Sequence, residues 1–222
     1  MHTQASGNDM FDAFLFDLDG TLLDSETIWI DAIGTALRLR GIDLSQTEAT
    51  ELVLGRSWVD IFANIRRRFP ASYATREAME EVTVPLYQEC METRDVRIHS
   101  SIELLHRLAR QTPAVIVSGS TRNRIAESLV LMDAEDLIPF YLGCEDYEHG
   151  KPAPDCFLLA AERLGVSPGR CLVFEDSGAG VAAAKAAGMT CVALHRYQTP
   201  PPAGADLVLA DLGDFDFALL KR

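Results

Sequence analysis

The feature that most constrains this chain is a short apolar run that stops dead on acid: Phe11 to Phe16, then Asp17-Leu18-Asp19-Gly20-Thr21. Its length and the abrupt glycine read as a buried strand feeding a tight loop. Three more short runs have the same look: Ala114–Val117, Cys171–Phe174 and Thr190–Leu194. Each follows a helical pattern, over Ser100–Arg110, Asp155–Leu164 and Val181–Ala187 respectively. Strands that alternate with helices predict parallel βαβ units, a sheet covered on both faces, and so an α/β doubly wound parallel-sheet core. Leu207–Leu209 adds a last strand and Phe215–Leu220 a last short helix.

Between Ser25 and Val96 the pattern changes. Ile28, Ala32, Ile33, Ala36 and Leu37, then Ile61, Ile65 and Phe69, recur at helical spacing, and no strand stands out. Because βαβ alternation resumes afterwards, residues 25–96 read as an inserted α-helical domain, with 1–24 and 97–222 forming the α/β core. Arg66-Arg67-Arg68 reads as a solvated helix face.

Composition excludes several classes. With 48% hydrophobic and 24% charged residues the chain is neither disordered nor fibrous. Lys plus Arg total 20 against 33 Asp plus Glu, a net charge of -13, which repels nucleic-acid backbones and anionic lipid. No apolar stretch approaches the ~18 residues of a membrane span, and Met1–Met10 lacks the apolar centre of a secretory signal. Five cysteines without C-x-x-C spacing read as reduced thiols, most of them in the core. The expectation is a soluble cytoplasmic protein with a small-molecule partner and neither nucleic acid nor membrane. Oligomeric state is not readable.

In open parallel sheets, ligands bind beyond the carboxyl ends of the strands, so the residues there are the place to look. Asp17 and Asp19 follow the first strand, Ser118-Gly119-Ser120 the second. Lys151 follows the Tyr141–Cys144 segment, and Glu175-Asp176 the strand ending at Phe174. Four carboxylates, a hydroxyl and a lysine on one edge are the inventory for one hard cation and one phosphate. Four carboxylates close together need a compensating cation, and Mg²⁺ takes oxygen ligands while sharing a substrate phosphate. One carboxylate can attack phosphorus, giving an aspartyl-phosphate. A second, two residues on, can protonate the leaving oxygen and then activate water. Ser118 and the amides of Gly119 and Ser120 suit phosphate oxygens, and Lys151 offsets charge in the transition state.

Taken in order, Asp17-Leu18-Asp19-Gly20-Thr21, the Ser118 strand end, Lys151 and Glu175-Asp176 resemble the four motifs of the haloacid dehalogenase superfamily. Asp24-Ser25-Glu26, Gly150-Lys151-Pro152-Ala153-Pro154-Asp155 and Phe174-Glu175-Asp176-Ser177 are similar to its β-phosphoglucomutase-like phosphatase branch, and the helical insert resembles that family's cap. The resemblance implies that Asp17 is nucleophile and metal ligand. Asp19 is then the general acid/base, with its carbonyl on Mg²⁺. Asp176 is a metal ligand, Glu175 a ligand or the partner of one, and Ser118 and Lys151 hold the transferring phosphoryl group. In the cap, Arg56, Trp58 and Trp29 are the candidates for touching substrate. Where mutases of this branch carry a cap histidine and a cap arginine, this chain has Trp29 and Trp58. The expected activity is therefore Mg²⁺-dependent hydrolysis of a small phosphate monoester. The alternatives are a sugar-phosphate mutase, or a phosphate-ligand sensor or phospho-aspartate switch.

Overall fold

The computed structural model describes residues 10–54, 58–196 and 200–221. The chain divides into two compact units, one made of Met1–Leu23 and Arg97–Arg222, the other of Asp24–Val96. In the first, six parallel strands form one sheet: β1 (Ala13–Phe16), β2 (Ala114–Val117), β3 (Tyr141–Leu142), β4 (Cys171–Glu175), β5 (Thr190–Leu194) and β6 (Leu207–Leu209). Their order is β3-β2-β1-β4-β5-β6, so the sheet is wound both ways from β1. Phe14 pairs with Ala114 on one side and Leu172 on the other.

Every residue of β1, β2 and β4 is buried, which is why these segments read as unbroken apolar runs rather than alternating ones. The period of two is still visible in what each face packs against. Ala13 and Leu15 point into a core shared with Val115, Val117, Phe157, Val173 and Val181. Phe14 and Phe16 point the other way, where Phe16 stacks on Phe174 at 4.5 Å and Phe14 lies 6.0 Å from Phe217. That second face explains the chain end: in place of the short helix expected over 215–220, Phe217–Lys221 makes a 3-10 turn that seats Phe217.

The four helices that follow the insertion in this unit are α5 (His99–Ala109), α6 (Arg122–Leu131), α7 (Asp155–Leu164) and α8 (Gly178–Ala186). Side chains cap two of them: Thr121 accepts from Arg124 N and Ser177 from Gly180 N. The chain leaves the sheet unit at Leu23 and re-enters at Arg97, and those two residues form an antiparallel bridge.

The other unit holds α1 (Ser25–Arg38), α2 (Gln46–Val53), α3 (Trp58–Arg68) and α4 (Arg76–Thr93) around Ile33, Leu37, Leu52, Ile65 and Met79. Ser45 and Glu48 cap α2 reciprocally, and Tyr73 Oη donates to the Ala36 carbonyl at 2.9 Å. Arg66 is not merely solvated. It donates to the carbonyls of Pro70 and Tyr73, both at 2.7 Å, and so closes the turn after α3.

Among the described residues no helix is long and apolar enough to cross a membrane. Cys156, Cys171 and Cys191 are buried free thiols, and Cys144 is exposed.

Candidate active site

The carboxyl end of β1 lies between those of β2 and β4, so residues leaving these strands are neighbours whatever their distance in sequence. Asp17 is the first residue past β1. Its amide donates to the Phe174 carbonyl at 2.9 Å, which continues the sheet pairing by one residue and fixes where the carboxylate stands. Asp17 as a whole is 6% exposed.

Lys151 reaches it from the loop before α7, with Nζ 2.5 Å from Asp17 Oδ1, 2.6 Å from Glu175 Oε1 and 3.1 Å from the Val117 carbonyl. An ammonium has three protons, and these are three acceptors. Loss of water weakens a buried lysine charge, but the two carboxylates more than reverse that and hold Lys151 above the ordinary lysine range. For Asp17 burial dominates. Despite the lysine, it pushes the carboxyl up to about 8, with Glu175 and Asp19 adding like charge. Tyr147 ties down the loop that carries the lysine, its Oη donating to the Ser118 carbonyl at 2.8 Å.

Glu175 faces the lysine. Its Oε1 takes Lys151, and its Oε2 accepts from the amides of Asp176 and Ser177 and from Ser177 Oγ, at 2.9–3.0 Å. This fold-back of the side chain depends on Gly180, because a Cβ there would sit 1.8 Å from Glu175 Oε1. Gly180→Ala is therefore expected to invert the usual sign. Removing a glycine from a helix ordinarily gains about 0.5–1 kcal/mol. Here the clash should cost about 1–3 kcal/mol, measured by urea unfolding, with turnover falling alongside. A stabilised, fully active variant would show that Glu175 has room elsewhere.

Asp19 turns to the other side. Its Oδ2 accepts from Ser120 Oγ at 2.6 Å and Ser118 Oγ at 3.4 Å, and its Oδ1 from Arg124 Nη2 at 3.3 Å. Ser118 Oγ also accepts from the Ser120 amide at 3.0 Å. Gly119 stands exposed between the two serines. Asp176 begins the turn after β4 and lies against the loop after β1. Gly20 there has φ +88°, and a Cβ on it would fall 2.0 Å from Asp176 Oδ2.

The structure thus brings Asp17, Asp19, Ser118, Ser120, Lys151, Glu175 and Asp176 to one sheet edge, but not as the four-carboxylate cluster expected. Among the described residues no three His, Cys, Asp or Glu side chains converge as a ligand set. Like charges repel, and the two cations divide them: Lys151 stands between Asp17 and Glu175, and Arg124 draws on Asp19. Helix α8 is capped by Ser177, not by Asp176. Trp29 and Trp58 belong to the helical unit. There Trp29 stacks on Tyr87 at 4.0 Å and lies 4.8 Å from Trp58, whose Nε1 donates to Glu80 at 2.5 Å. Arg56 lies outside the described residues. Arg124, Tyr147 and Gly180 escaped the sequence reading, and Ser177 entered it only as the end of Phe174-Glu175-Asp176-Ser177, with Gly180 four residues past Asp176.

Residues 11–188 match the family model for haloacid dehalogenase-like hydrolases. The chain belongs to that family. Among this hydrolase's relatives, validoxylamine A 7'-phosphate phosphatase of Streptomyces hygroscopicus subsp. limoneus is 31% identical, over 91% of the chain and 95% of the relative. Hexitol phosphatase A of Escherichia coli is 32% identical over 90% of each. A family hydrolase from Deinococcus radiodurans, solved with bound phosphate and sodium, superposes with a TM-score of 0.76 at 30% identity, covering 95% of the chain and 96% of that structure.

Proposed function

We propose that this hydrolase is a divalent-cation-dependent phosphatase of a small sugar or polyol phosphate, working through an aspartyl-phosphate on Asp17. The observation that carries the reading is the different setting of two aspartates two residues apart. Asp17 is buried and ion-paired to Lys151, while Asp19 is 31% exposed among hydroxyls and an arginine. The first suits a fixed nucleophile, the second a group that exchanges protons with substrate and water. Relatives that cover nearly the whole chain and are named for phosphatase activity support the same reaction.

The donors fit a hard cation. Asp17, Asp176 and the Asp19 carbonyl are all oxygen, and Gly20 keeps the backbone of the first loop close against Asp176. These three would hold Mg²⁺, which when bound supplies charge neutralisation at the phosphoryl oxygens. Lys151 donates to Asp17, Glu175 and Val117, so it holds Asp17 in line and offsets its charge, and its ammonium stands beside the nucleophile as a partner for the transferring phosphoryl group. The Ser118 and Ser120 hydroxyls seat the phosphoryl group. The helical unit takes the part of the family's cap, with Trp29 and Trp58 selecting substrate. Neither indole carries a charge for a second phosphate, which favours hydrolysis over transfer within a bisphosphate.

A panel of sugar and polyol phosphates assayed for phosphate release tests this. Release is expected with Mg²⁺ and not in excess EDTA. Mg²⁺ should also raise the melting temperature, by an amount that Asp176→Ala abolishes; saturation at 100 Kd corresponds to about 2.7 kcal/mol. Full turnover in EDTA would refute the metal assignment, and glucose 6-phosphate formed rapidly from β-glucose 1-phosphate would refute hydrolysis.

A further inference from the structure

Three side chains from one stretch of chain hold Asp19. Ser118 and Ser120 lie in the turn after β2, and Arg124 in the first turn of α6, its amide donating to the Thr121 cap at 3.4 Å. The arginine two residues earlier has a different task. Arg122 donates to both oxygens of Asp146 at 2.9 and 3.0 Å and lies 5.1 Å over the Tyr141 ring. One helical turn therefore commits one guanidinium to a loop carboxylate and aims the other at the carboxylate two residues past Asp17. Arg124 and Asp19 remain 26% and 31% exposed, so a substrate can reach the pair.

A hydroxyl has one proton to give. If a phosphoryl oxygen takes the protons of Ser118 and Ser120, Asp19 loses both hydroxyl contacts at the moment it is needed, and keeps the guanidinium. We propose that Arg124 is a positioning residue for Asp19, holding its carboxyl group beside the leaving oxygen once the serines have turned to phosphate. This inference rests on the phosphatase reading and adds a residue to it. In the first step an Asp17 oxygen bonds to phosphorus as the ester P–O bond breaks, and the proton on Asp19 passes to the departing oxygen, which leaves as a neutral alcohol. In the second, a water oxygen bonds to phosphorus, the Asp17–phosphorus linkage breaks, and the water's proton passes to Asp19. Arg124 touches neither phosphorus nor the leaving group in this scheme. It acts through the place it gives Asp19.

Leaving-group dependence separates this role from a phosphate contact. The ratio kcat/KM covers steps only through departure of the first product. A nitrophenolate departs without a proton, whereas an alkoxide needs one. In the full-length chain with Mg²⁺, Arg124→Gln should lower kcat/KM about 10- to 100-fold for the alkyl phosphate turned over fastest in the panel, the loss typical of a misplaced catalytic group. For p-nitrophenyl phosphate the same variant should lose less than about 3-fold, because no acid is required there. Arg124→Lys should recover most of the alkyl activity. Should the glutamine perturb folding by circular dichroism, Arg124→Met, which keeps the apolar stem, reads the same ratio. Equal losses on both substrates, or none on either, would overturn the role of Arg124 alone. A wild-type chain that releases phosphate from neither substrate would overturn the phosphatase reading and this inference with it.

Discussion

Asp17→Asn should fold and release no measurable phosphate. An amide has the shape of the carboxylate but neither its charge nor its nucleophilicity, so no acyl-phosphate can form. The expected loss is at least ~10⁴-fold, in line with removal of the nucleophile from other covalent mechanisms. Stability should change little, because two effects oppose each other. The ion pair with Lys151 is lost, though the asparagine oxygen can still accept from it and Glu175 remains its partner at 2.6 Å, while a buried charge that burial disfavours is removed. Acid-quenched mass spectrometry provides a second readout. Wild-type chain mixed with substrate should gain the mass of one phosphoryl group, and the variant should not. A variant that keeps more than a few per cent of turnover would place the nucleophile elsewhere.

Lys151→Met should be the most damaging single change for stability. Lys151 is the cation between Asp17 and Glu175, and its own side chain is only 11% exposed. Removing one partner of such a pair leaves buried charge uncompensated, at a cost of about 3–5 kcal/mol. The pH dependence has a definite sign. Without the lysine, Asp17 keeps the burial and like charge that already raise its carboxyl and loses the cation that opposed them, so it holds its proton more tightly folded than unfolded. Stability then falls as pH rises above the ordinary carboxylate range, and the deficit shrinks as pH drops toward it. Urea unfolding in EDTA at pH 5 and pH 8 should show the larger deficit at pH 8. A deficit that is constant with pH would mean that lost packing against Phe157, which lies 5.1 Å from Nζ, accounts for it instead.

The sheet was legible because a strand buried on both faces leaves a mark that local sequence cannot hide. Ala114–Val117 and Thr190–Leu194 are strands at the limits expected; so is the edge strand Leu207–Leu209, although its residues are half-buried or exposed, and Asp155–Leu164 is helical over its expected span. The helical unit was harder to read. Helix α4 runs from Arg76 to Thr93 through Pro85, a residue that interrupts the pattern a reader looks for, and only Met79, Thr83 and Tyr87 on it are buried. In the candidate site, residue type and order pointed to Asp17, Asp19 and Lys151. What spacing does not encode is which charge faces which. That Lys151 separates two of the carboxylates, and that Arg124 takes a third, depends on side-chain competition between segments about a hundred residues apart. Gly180 is a case of its own. Its reason for being glycine is a side chain five residues back, a contact visible only once Glu175 is seen folded beneath the helix.

The separation of 134 positions between Asp17 and Lys151 also has a consequence during synthesis. At roughly 5–20 residues per second, the lysine is made about 7 to 27 s after the aspartate it neutralises. Until then a nascent chain carries Asp17 with no lysine beside it, and β1 lacks β4, the neighbour that would shut water out. The first aspartates must therefore wait in a hydrated, unpaired condition on the ribosome. Chains released before that point lack Lys151 and β4, so the pocket around Asp17 closes only in chains extended well past residue 151.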